Sequence, residues 1–453
     1  MDDRGRRSEQ RDGVAEWFAG LINARPEEVG VALLSALWFF FALGSYYILR
    51  PIRDEMGAAG GTSQLAWLYT GTMATMLIAQ PLYGWVATGR RPRRFIPWVY
   101  RFFMLNLFGF FLALKFVDGE ALVWTARAFF VWVSVFNLFV VSIFWQRIVD
   151  VFRLEQGKRL FGFIAVGGTC GAIAGSAVPS FLAEHVGRAN LILVSIALLE
   201  VACWCSIALA RKGETAIDGD AGTGGGDSHS AEAQAKGSVQ GIIDVLRSPY
   251  LLGVCVYMLL FTFASTVLYF AQAEVLQGAY PDRDQRTAVF GRIDLAVNTL
   301  TLVMQLFLTG RIMRWIGVGA TLAILPIASI VGFSAIGLYP VVAAVVVFQV
   351  VRRSGNFALA RPARETLFTI VPRDDKYKAK AFIDTFVYRG GDQIAAWSYA
   401  GLAAAGLAMG SIALVTAPLC VVWLGSALWL GRRQKALAGR QDEMAPVAPA
   451  VAS

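Results

Sequence analysis

Twelve apolar stretches, each long enough to cross a lipid bilayer, fall into two groups of six around one long polar loop. A transmembrane helix needs about 20 mostly apolar residues, because each residue advances the helix by only ~1.5 Å. The pattern therefore predicts an all-α membrane protein with 12 transmembrane helices in two six-helix halves. The predicted spans are residues 29–49, 65–86, 95–116, 121–144, 160–182, 191–210, 251–270, 293–308, 320–339, 341–359, 381–405 and 412–430.

The composition supports a membrane protein and excludes a typical soluble domain. Hydrophobic residues make up 56% of the chain and charged residues only 16%, whereas soluble domains are less apolar and richer in charge. The formal net charge of +9 does not indicate a nucleic-acid partner, because the basic residues alternate from loop to loop. We expect the lipid bilayer to surround this chain.

Basic residues mark one side of the membrane. They concentrate in the N-terminal tail, in residues 90–94, 147–159 and 373–380, and in the C-terminal tail, while the intervening loops hold few. Loops rich in Lys and Arg stay cytoplasmic in multi-pass proteins. Both termini are therefore expected in the cytoplasm, with the chain in a bacterial inner membrane.

The central loop is rich in Gly, Ala and Ser and lacks apolar periodicity, so we expect a disordered cytoplasmic linker there. A short amphipathic helix is expected at residues 14–22 of the N-terminal tail. The predicted organisation is a cytoplasmic tail at 1–28, an N-terminal half at 29–210, the linker at 211–249, a C-terminal half at 250–430 and a disordered cytoplasmic tail at 431–453.

The two halves echo one another. The second span is followed by TGRRPRR at residues 88–94, and the eighth by TGRIMR at residues 309–314. The fourth loop and fifth span resemble the tenth loop and eleventh span, since each runs from a basic loop to an aromatic residue and paired glycines. Two six-helix halves related by an axis along the membrane normal describe the major-facilitator architecture. Its first and fourth helices in each half line a central cavity.

A charged side chain inside a span is costly, so it usually faces a cavity or a partner. The first span ends in the sequence RPIRDE, in which Pro51 is expected to break the helix and leave Arg50 and Arg53 in a loop. Arg53 either pairs with Asp54 or Glu55 at the membrane edge or belongs to an entrance that steers anions. The sequence leaves both interpretations open.

Three further arginines lie inside predicted spans. Arg127 is in the fourth span, and Arg352 and Arg353 are in the tenth. Adjacent residues of a helix point in different directions, so we expect only one of the last two to face the cavity. The other should reach a carboxylate such as Glu365 or extend to the membrane interface.

The eleventh span holds Asp384, Arg389 and Asp392. Arg389 and Asp392 are three residues apart and share a helix face, so they either neutralise each other or take part in a substrate site. Arginine binds phosphate and carboxylate with two parallel hydrogen bonds, so the excess of arginine favours an anionic cargo. The candidate substrate-binding residues are Arg50, Arg53, Arg127, Arg352, Arg353, Glu365, Asp384, Arg389 and Asp392.

The sequence offers no set of catalytic side chains. His185 and His229 are its only histidines, and neither has the spacing of a metal ligand. We therefore expect no enzyme activity, no metal and no cofactor. Gly167, Gly171 and Gly175 follow the GxxxG spacing, which predicts close packing of the fifth span against another helix.

Three segments resemble the ATP:ADP antiporters of plastids and intracellular bacteria, the nucleotide exchange transporter family. SYYILRPIRDEMG at 45–57 is similar to the end of that family's first helix. Phe144-Trp145 followed by KRLFGFIAVGG at 158–168 resembles its Phe-Trp and the glycine-containing helix that comes next. RPARETLFTIVPRDDKYKAKAFIDTFVYRGGD at 361–392 is the most specific of the three. The resemblance extends over most of the spans and implies a nucleotide exchanger with the major-facilitator fold.

Several family positions can be carried over to this chain. Arg53 falls on the first-helix lysine, Arg364 and Glu365 fall on a Lys-Glu pair, and Asp384 and Arg389 fall on an Asp and an Arg.

The chain departs from the family pattern elsewhere. Asp392 replaces the lysine of the eleventh helix. The family's acid before the Phe-Trp pair falls near Val133 or Ser134, and its seventh-helix acid falls near Tyr269. These replacements imply a divergent bacterial branch of the family. Its cargo is either ATP and ADP or another anionic solute.

The leading hypothesis is a secondary transporter of an anionic solute, a nucleotide or another phosphate compound, that works by alternating access. Two alternatives stay open. One is a major-facilitator permease for an unrelated solute, with Asp392 or Asp384 as a proton site. The other is a non-transporting membrane sensor or scaffold. The sequence leaves the oligomeric state open, and we expect the monomer to be functional.

Overall fold

The computed structural model describes residues 25–87, 92–217, 248–371, 379–380 and 382–444. The predictions that fall outside these residues concern the amphipathic helix at 14–22, the greater part of the linker, the basic residues at 90–91 and 373–378, and the end of the C-terminal tail.

The described residues form helices joined by short connections. In chain order the α-helices are α1 Pro26–Ala58, α2 Gly61–Ala87, α3 Pro92–Phe116, α4 Gly119–Val151, α5 Leu154–Val186, α6 Arg188–Ile217, α7 Pro249–Ala279, α8 Arg283–Phe307, α9 Thr309–Leu338, α10 Val342–Gly355, α11 Arg361–Leu367, α12 Tyr388–Ala404 and α13 Met409–Met444. Two π-helical turns are inserted among them. Asn356–Ala360 joins α10 to α11, and Ile383–Val387 precedes α12.

Ten helical segments of the described chain are long and apolar enough to cross a membrane. The two remaining predicted spans fall on α2 and on the π-helical turn followed by α12. Because α12 has only 17 residues, it needs the π-helical turn to approach the about 20 residues of a full span. The prediction of an all-α, multi-pass membrane protein is confirmed.

Large apolar side chains cover much of the outer surface. Leu105 is 70% exposed, Trp315 is 75% exposed and Val331 is 65% exposed. In water such a surface would bind other apolar surfaces, whereas in a bilayer it contacts acyl chains at no cost. The surface therefore agrees with a lipid environment.

The described residues group into two compact units. Unit 1 draws on Met1–Ala59, Gly71–Ser228 and Tyr280–Asn298, and unit 2 draws on Gly60–Thr70, His229–Ala279 and Thr299–Ser453. Two short segments, Gly60–Thr70 and Tyr280–Asn298, are separated in the chain from the main part of their unit.

In unit 1, α1 is the central helix and packs against α4, α5 and α6, while α3 packs against α4 and α6. Aromatic side chains fill this core. The Trp38 indole donates a hydrogen bond of 3.0 Å to the Tyr100 hydroxyl, and Phe39 stacks on Phe144 with ring centroids 4.1 Å apart. Both partners of each pair are buried.

A row of glycines on α5 brings its main chain against that of α1. A Cβ atom added to Gly167 would lie 2.5 Å from the main-chain oxygen of Ala36, and one added to Gly171 or Gly175 would lie closer still to the main chain. Only glycine permits such an approach. The close packing predicted from the GxxxG spacing is therefore present, and its partner is α1.

Unit 2 repeats the packing order of unit 1. Its central helix α7 packs against α10, α12 and α13, and α9 packs against α10 and α13. The seventh, tenth, eleventh and twelfth spans thus make the contacts that the first, fourth, fifth and sixth make in unit 1. This repeat supports the predicted echo between the two halves.

Two helix ends differ from the prediction. α13 continues to Met444 and α6 continues to Ile217, so residues 431–444 and 211–217 are helical rather than disordered tail and linker. Residues 431–444 read GRRQKALAGRQDEM and are rich in Ala, Leu, Arg, Lys and Gln. These residue types have high helix propensity, so a helix already formed in the membrane continues through them.

Candidate functional site

The end of α1 corrects the prediction made for Pro51. The helix continues through Pro51 to Ala58, so Arg50 and Arg53 lie on a helix and not in a loop. Proline removes one hydrogen bond of the helix, but a membrane-embedded chain has few other ways to satisfy its backbone, and transmembrane helices tolerate it. As a result the charges after Pro51 are held at fixed positions on α1.

Arg50 and Arg53 both lie near carboxylates of unit 1. Arg50 Nη1 is 3.5 Å from Asp294 Oδ1 of α8, and Arg50 Nε is 3.8 Å from Asp54 Oδ2. Arg53 Nη1 is 3.7 Å from Asp54 Oδ1, and its Cζ lies 4.2 Å from the centroid of the Phe130 ring. The pairing of Arg53 with Asp54 was one of the two interpretations that the sequence left open.

Three more arginines lie close to the carboxylate of Glu55. Its side chain has no exposed surface, and Arg286 Nη2 donates to its Oε1 at 2.8 Å. Arg188 and Arg283 lie 3.9 and 4.0 Å away from its oxygens. We call Arg50, Arg53, Asp54, Glu55, Arg188, Arg286 and Asp294 the α1 charge cluster.

Several members of the α1 charge cluster were missed in the sequence. Asp294 is only 2% exposed and falls inside the predicted eighth span, so its position was the available signal. Arg286 is 5% exposed and lies just before that span. Their contacts with α1 could not be inferred, because more than 230 residues separate Arg286 from Glu55.

Arg127 lies elsewhere on unit 1. Its Cζ is 4.5 Å from the centroid of the Trp124 ring, one turn earlier on α4. The guanidinium is thus held against an aromatic face of its own helix, an arrangement that is favourable by cation–π attraction. Arg127 stays a predicted binding residue.

In unit 2 the central residue is Arg352, which is 1% exposed. Its Nη2 donates to the Phe261 carbonyl oxygen at 2.8 Å, and its Cζ lies 5.2 and 5.9 Å from the Phe261 and Trp423 rings. Among the described residues no carboxylate comes within ion-pair distance of it. Arg353, the next residue, is partly exposed, so the two side chains do point in different directions.

Two further arginines extend this group. Arg364 Cζ lies 5.6 Å from the Phe261 ring, and Arg389 Cζ lies 5.9 Å from the Tyr388 ring. The Phe261 and Tyr388 rings are themselves neighbours, with centroids 6.2 Å apart. Tyr388 interacts electrostatically with three arginines, namely Arg352, Arg364 and Arg389, and with Asp392. We call Phe261, Arg352, Arg364, Tyr388, Arg389 and Asp392 the unit 2 arginine cluster.

The remaining predicted residues of unit 2 form a more exposed group. Glu365 accepts a hydrogen bond from Lys380. Asp384 is exposed and has Arg361, Arg364, Lys380 and Glu365 as its electrostatic neighbours. These carboxylates therefore adjoin the unit 2 arginine cluster through Arg364.

Asp392 and Arg389 share one face of α12, as their spacing predicted. Arg389 Nη1 is 3.8 Å from Asp392 Oδ2, while Asp392 Oδ1 accepts a hydrogen bond of 2.9 Å from the Thr266 hydroxyl of α7. Asp392 is 8% exposed and Thr266 is 3% exposed. Thr266 was missed, because a threonine in an apolar span carries no signal of its own.

The unit 2 arginine cluster suits an anion that carries several oxygens. Its guanidiniums offer planar sets of N–H donors, which match phosphate and carboxylate groups. The π-helical turn Asn356–Ala360 lies in the chain between Arg352 and Arg364, and the turn Ile383–Val387 directly precedes Tyr388 and Arg389. Such turns recur at functional sites of helical proteins.

Comparison with known proteins gives two kinds of match. Residues 120–434 match the family described as TLC ATP/ADP transporter. The chain is also 23% identical to ADP,ATP carrier protein 1 of Chlamydia trachomatis over 366 residues, which covers 72% of this chain and 68% of that protein. The protein of the same name from Chlamydia muridarum is 23% identical over 361 residues, covering 71% of this chain and 68% of the relative.

The fold has a counterpart among solved structures. The chain superposes on the crystal structure of an auto-inhibited POT family peptide transporter with a TM-score of 0.54 and 15% sequence identity, covering 90% of this chain and 97% of the other. The likeness concerns the fold alone. It agrees with the predicted major-facilitator architecture.

Proposed function

The chain belongs to the TLC ATP/ADP transporter family, which its residues 120–434 match, and we propose that it exchanges nucleotides or other phosphate compounds across a membrane. We infer that it works by alternating access. The family resemblance predicted from the three sequence segments is confirmed. The members of this family are transporters, and the protein is accordingly a multi-pass membrane transporter.

The unit 2 arginine cluster supports an anionic cargo. Arg352 is buried against Phe261 and Trp423, with a backbone carbonyl as its hydrogen-bond acceptor. Keeping a guanidinium inside a membrane protein is costly and indicates a functional role. A phosphate chain would give Arg364 and Arg389 acceptors of matching shape, while Arg352 would add positive potential beside it.

The α1 charge cluster supports a second role for Arg50 and Arg53 in the same cycle. Both guanidiniums lie 3.5–3.8 Å from carboxylate oxygens. An arriving anion could compete with these carboxylates for the same donors. The wider proposal places the protein in a bacterial inner membrane with both termini in the cytoplasm and the monomer as the working unit.

Uptake into proteoliposomes tests the proposal. Purified protein is reconstituted into liposomes that contain ADP or are empty, and entry of labelled ATP is measured. Exchange predicts several-fold faster uptake into the ADP-loaded liposomes. Equal uptake into loaded and empty liposomes would overturn the exchange of these nucleotides, and a response to liposomes loaded with another phosphate compound would identify the cargo.

Variants connect the activity to the unit 2 arginine cluster. Arg364→Gln removes a charged donor and should weaken ATP uptake roughly 10- to 100-fold, the equivalent of one charged hydrogen bond. Arg314→Gln is the matched control, since Arg314 is an exposed arginine of α9 that bonds the Gly310 carbonyl of its own helix. Equal loss in both variants would argue against a role for the cluster.

A further inference from the structure

Asp392 occupies an enclosed position between two helices of unit 2. The neighbouring Gly391 lies so close to α7 that an added Cβ atom would lie 3.1 Å from Thr262 Cβ and 3.3 Å from the Leu259 carbonyl oxygen. α7 and α12 therefore touch at this level. The carboxyl group next to this contact is 8% exposed.

The groups around Asp392 come from several elements. α7 provides the Thr266 hydroxyl, and α12 itself provides Arg389 and Tyr388. Further along the same helix pair, Tyr399 of α12 donates to Glu274 of α7 at 2.8 Å.

The other neighbouring elements place their titratable groups beside arginines of the cluster. α13 places the Cys420 thiol near Arg352, and the π-helical turn before α12 places Asp384 near Arg364 and Lys380. Arg389, with its Nη1 3.8 Å from Asp392 Oδ2, lies within ion-pair distance of Asp392.

The arrangement can hold the carboxyl group in either protonation state. As a carboxylate, Asp392 accepts from Thr266 and faces Arg389 at 3.8 Å. As a carboxylic acid it can donate to the Thr266 hydroxyl, because a hydroxyl both donates and accepts. The charged state is costly in so enclosed a place unless Arg389 stays near. The charge of Asp392 and the position of Arg389 are thereby coupled.

We propose that Asp392 is a proton-binding site that couples proton movement to anion transport, with Arg389 shared between the Asp392 carboxylate and the cargo. The proposal rests on the proposed function. A proton taken from the solution on one side binds Asp392 and neutralises it, which frees Arg389 to bind a cargo phosphate. On the other side the anion leaves Arg389, Arg389 returns to Asp392, and the proton passes to that solution. Proton and anion then move in the same direction.

Two transport measurements on the full-length protein test the coupling. ATP–ADP exchange is measured at equal pH on both sides, and ATP uptake is measured with an acidic exterior, while potassium and valinomycin hold the membrane potential near zero. The wild type should accumulate ATP up to about tenfold per unit of pH difference if one proton accompanies each molecule. Asp392→Asn should lose the accumulation driven by the pH gradient, measured relative to the variant's own rate of exchange at equal pH.

Asp118→Asn is the control variant, because Asp118 is an exposed aspartate before α4 in unit 1. It should behave like the wild type in both assays. A wild type that exchanges ATP but ignores the pH gradient would overturn the proton proposal and leave the proposed function standing. Accumulation by Asp392→Asn equal to that of the wild type would overturn it as well.

A measurement without cargo keeps the proposal testable even if ATP is not transported. Infrared difference spectra between mildly acidic and mildly alkaline buffer should show a protonated-carboxyl band in the wild type and in Asp118→Asn. The band should be smaller in Asp392→Asn by the contribution of one carboxyl group. If that variant retains the whole band, Asp392 does not change its protonation over this range and the proposal fails.

Discussion

At the scale of single residues, Glu55 shows how a carboxylate is kept inside a membrane protein. It has no exposed surface, and Arg286, Arg188 and Arg283 surround it at 2.8, 3.9 and 4.0 Å. Such a group is stable because its charge is neutralised on several sides, and it fixes the end of α1 to the start of α8. Removal of the Glu55 charge would leave the positive charges of these arginines without their shared carboxylate.

Glu55→Gln should lower the free energy of unfolding by about 3–5 kcal/mol, since the buried guanidinium of Arg286 would lose its counter-charge. Thermal unfolding in detergent micelles measures the effect. Glu120→Gln serves as control, because Glu120 is exposed in the first turn of α4. The double variant Glu55→Gln/Arg286→Gln should recover part of the loss. Unfolding of Glu55→Gln at the temperature of the control would contradict the structural role.

The sequence revealed local charge pairs but not distant ones. The pair of Arg389 with Asp392 was foreseeable because residues three apart share a helix face, and that of Arg53 with Asp54 because the two are neighbours in the sequence. The contact between Arg50 and Asp294 depends on how α8 meets α1, and no local pattern encodes that meeting. The burial of Arg352 against Phe261 and Trp423 was unforeseeable for the same reason.

At the scale of helices, the contact of α1 with α5 depends on the absence of side chains. Gly171→Ala places a Cβ atom in severe overlap with the main-chain oxygen of Phe40, so the helices must separate and their packed side chains must shift. We expect a loss of about 1–3 kcal/mol or more, seen as a lower melting temperature and a smaller folded yield.

The matched control is Gly109→Ala on α3, where nothing lies within 4 Å of the added Cβ atom. It should leave stability unchanged or raise it slightly, because alanine favours a helix over glycine. Equal stability of the two variants would show that α1 and α5 can separate without cost.

The helices were predicted well where the evidence was a long run of apolar residues. They were predicted less well where the argument used a rule that holds for helices of soluble proteins. The spans were found from their apolar residues, whereas Pro51 was expected to end α1 and does not. In a soluble protein, the backbone N–H and C=O groups freed by a helix break can form hydrogen bonds with water. The core of a bilayer contains no water for these groups, so the helix continues. The helical end of α13, rich in good helix formers, was overlooked because its polarity resembled that of a disordered tail.

At the scale of the whole molecule, the distribution of basic residues predicts the topology. A phosphatase reporter that is active only outside the cytoplasm, fused after Gly187, should be active, because Gly187 joins α5 to α6 in a loop poor in Lys and Arg. The same reporter fused after Gly225 should be inactive. Activity at Gly225 would reverse the orientation proposed for the chain.

The membership of the two units predicts how a divided protein behaves. Gly60–Thr70 belongs to unit 2, although the remainder of its half belongs to unit 1, and Tyr280–Asn298 belongs to unit 1. Halves expressed separately, with the chain split between residues 220 and 235, should therefore be stable together and unstable alone. Co-purification measures assembly, and halves that are each stable alone and do not bind one another would contradict this expectation.

Each π-helical turn holds one residue more than a turn of α-helix. Every residue of an α-helix advances the direction of the side chain by ~100°. Deletion of one residue from Ile383–Val387 would therefore rotate Arg389 and Asp392 together around the helix axis and leave the span in place. A single-residue insertion or deletion at this position therefore rotates the following part of the helix relative to the preceding part. Such a change alters which charged residues share a helix face without replacing any residue.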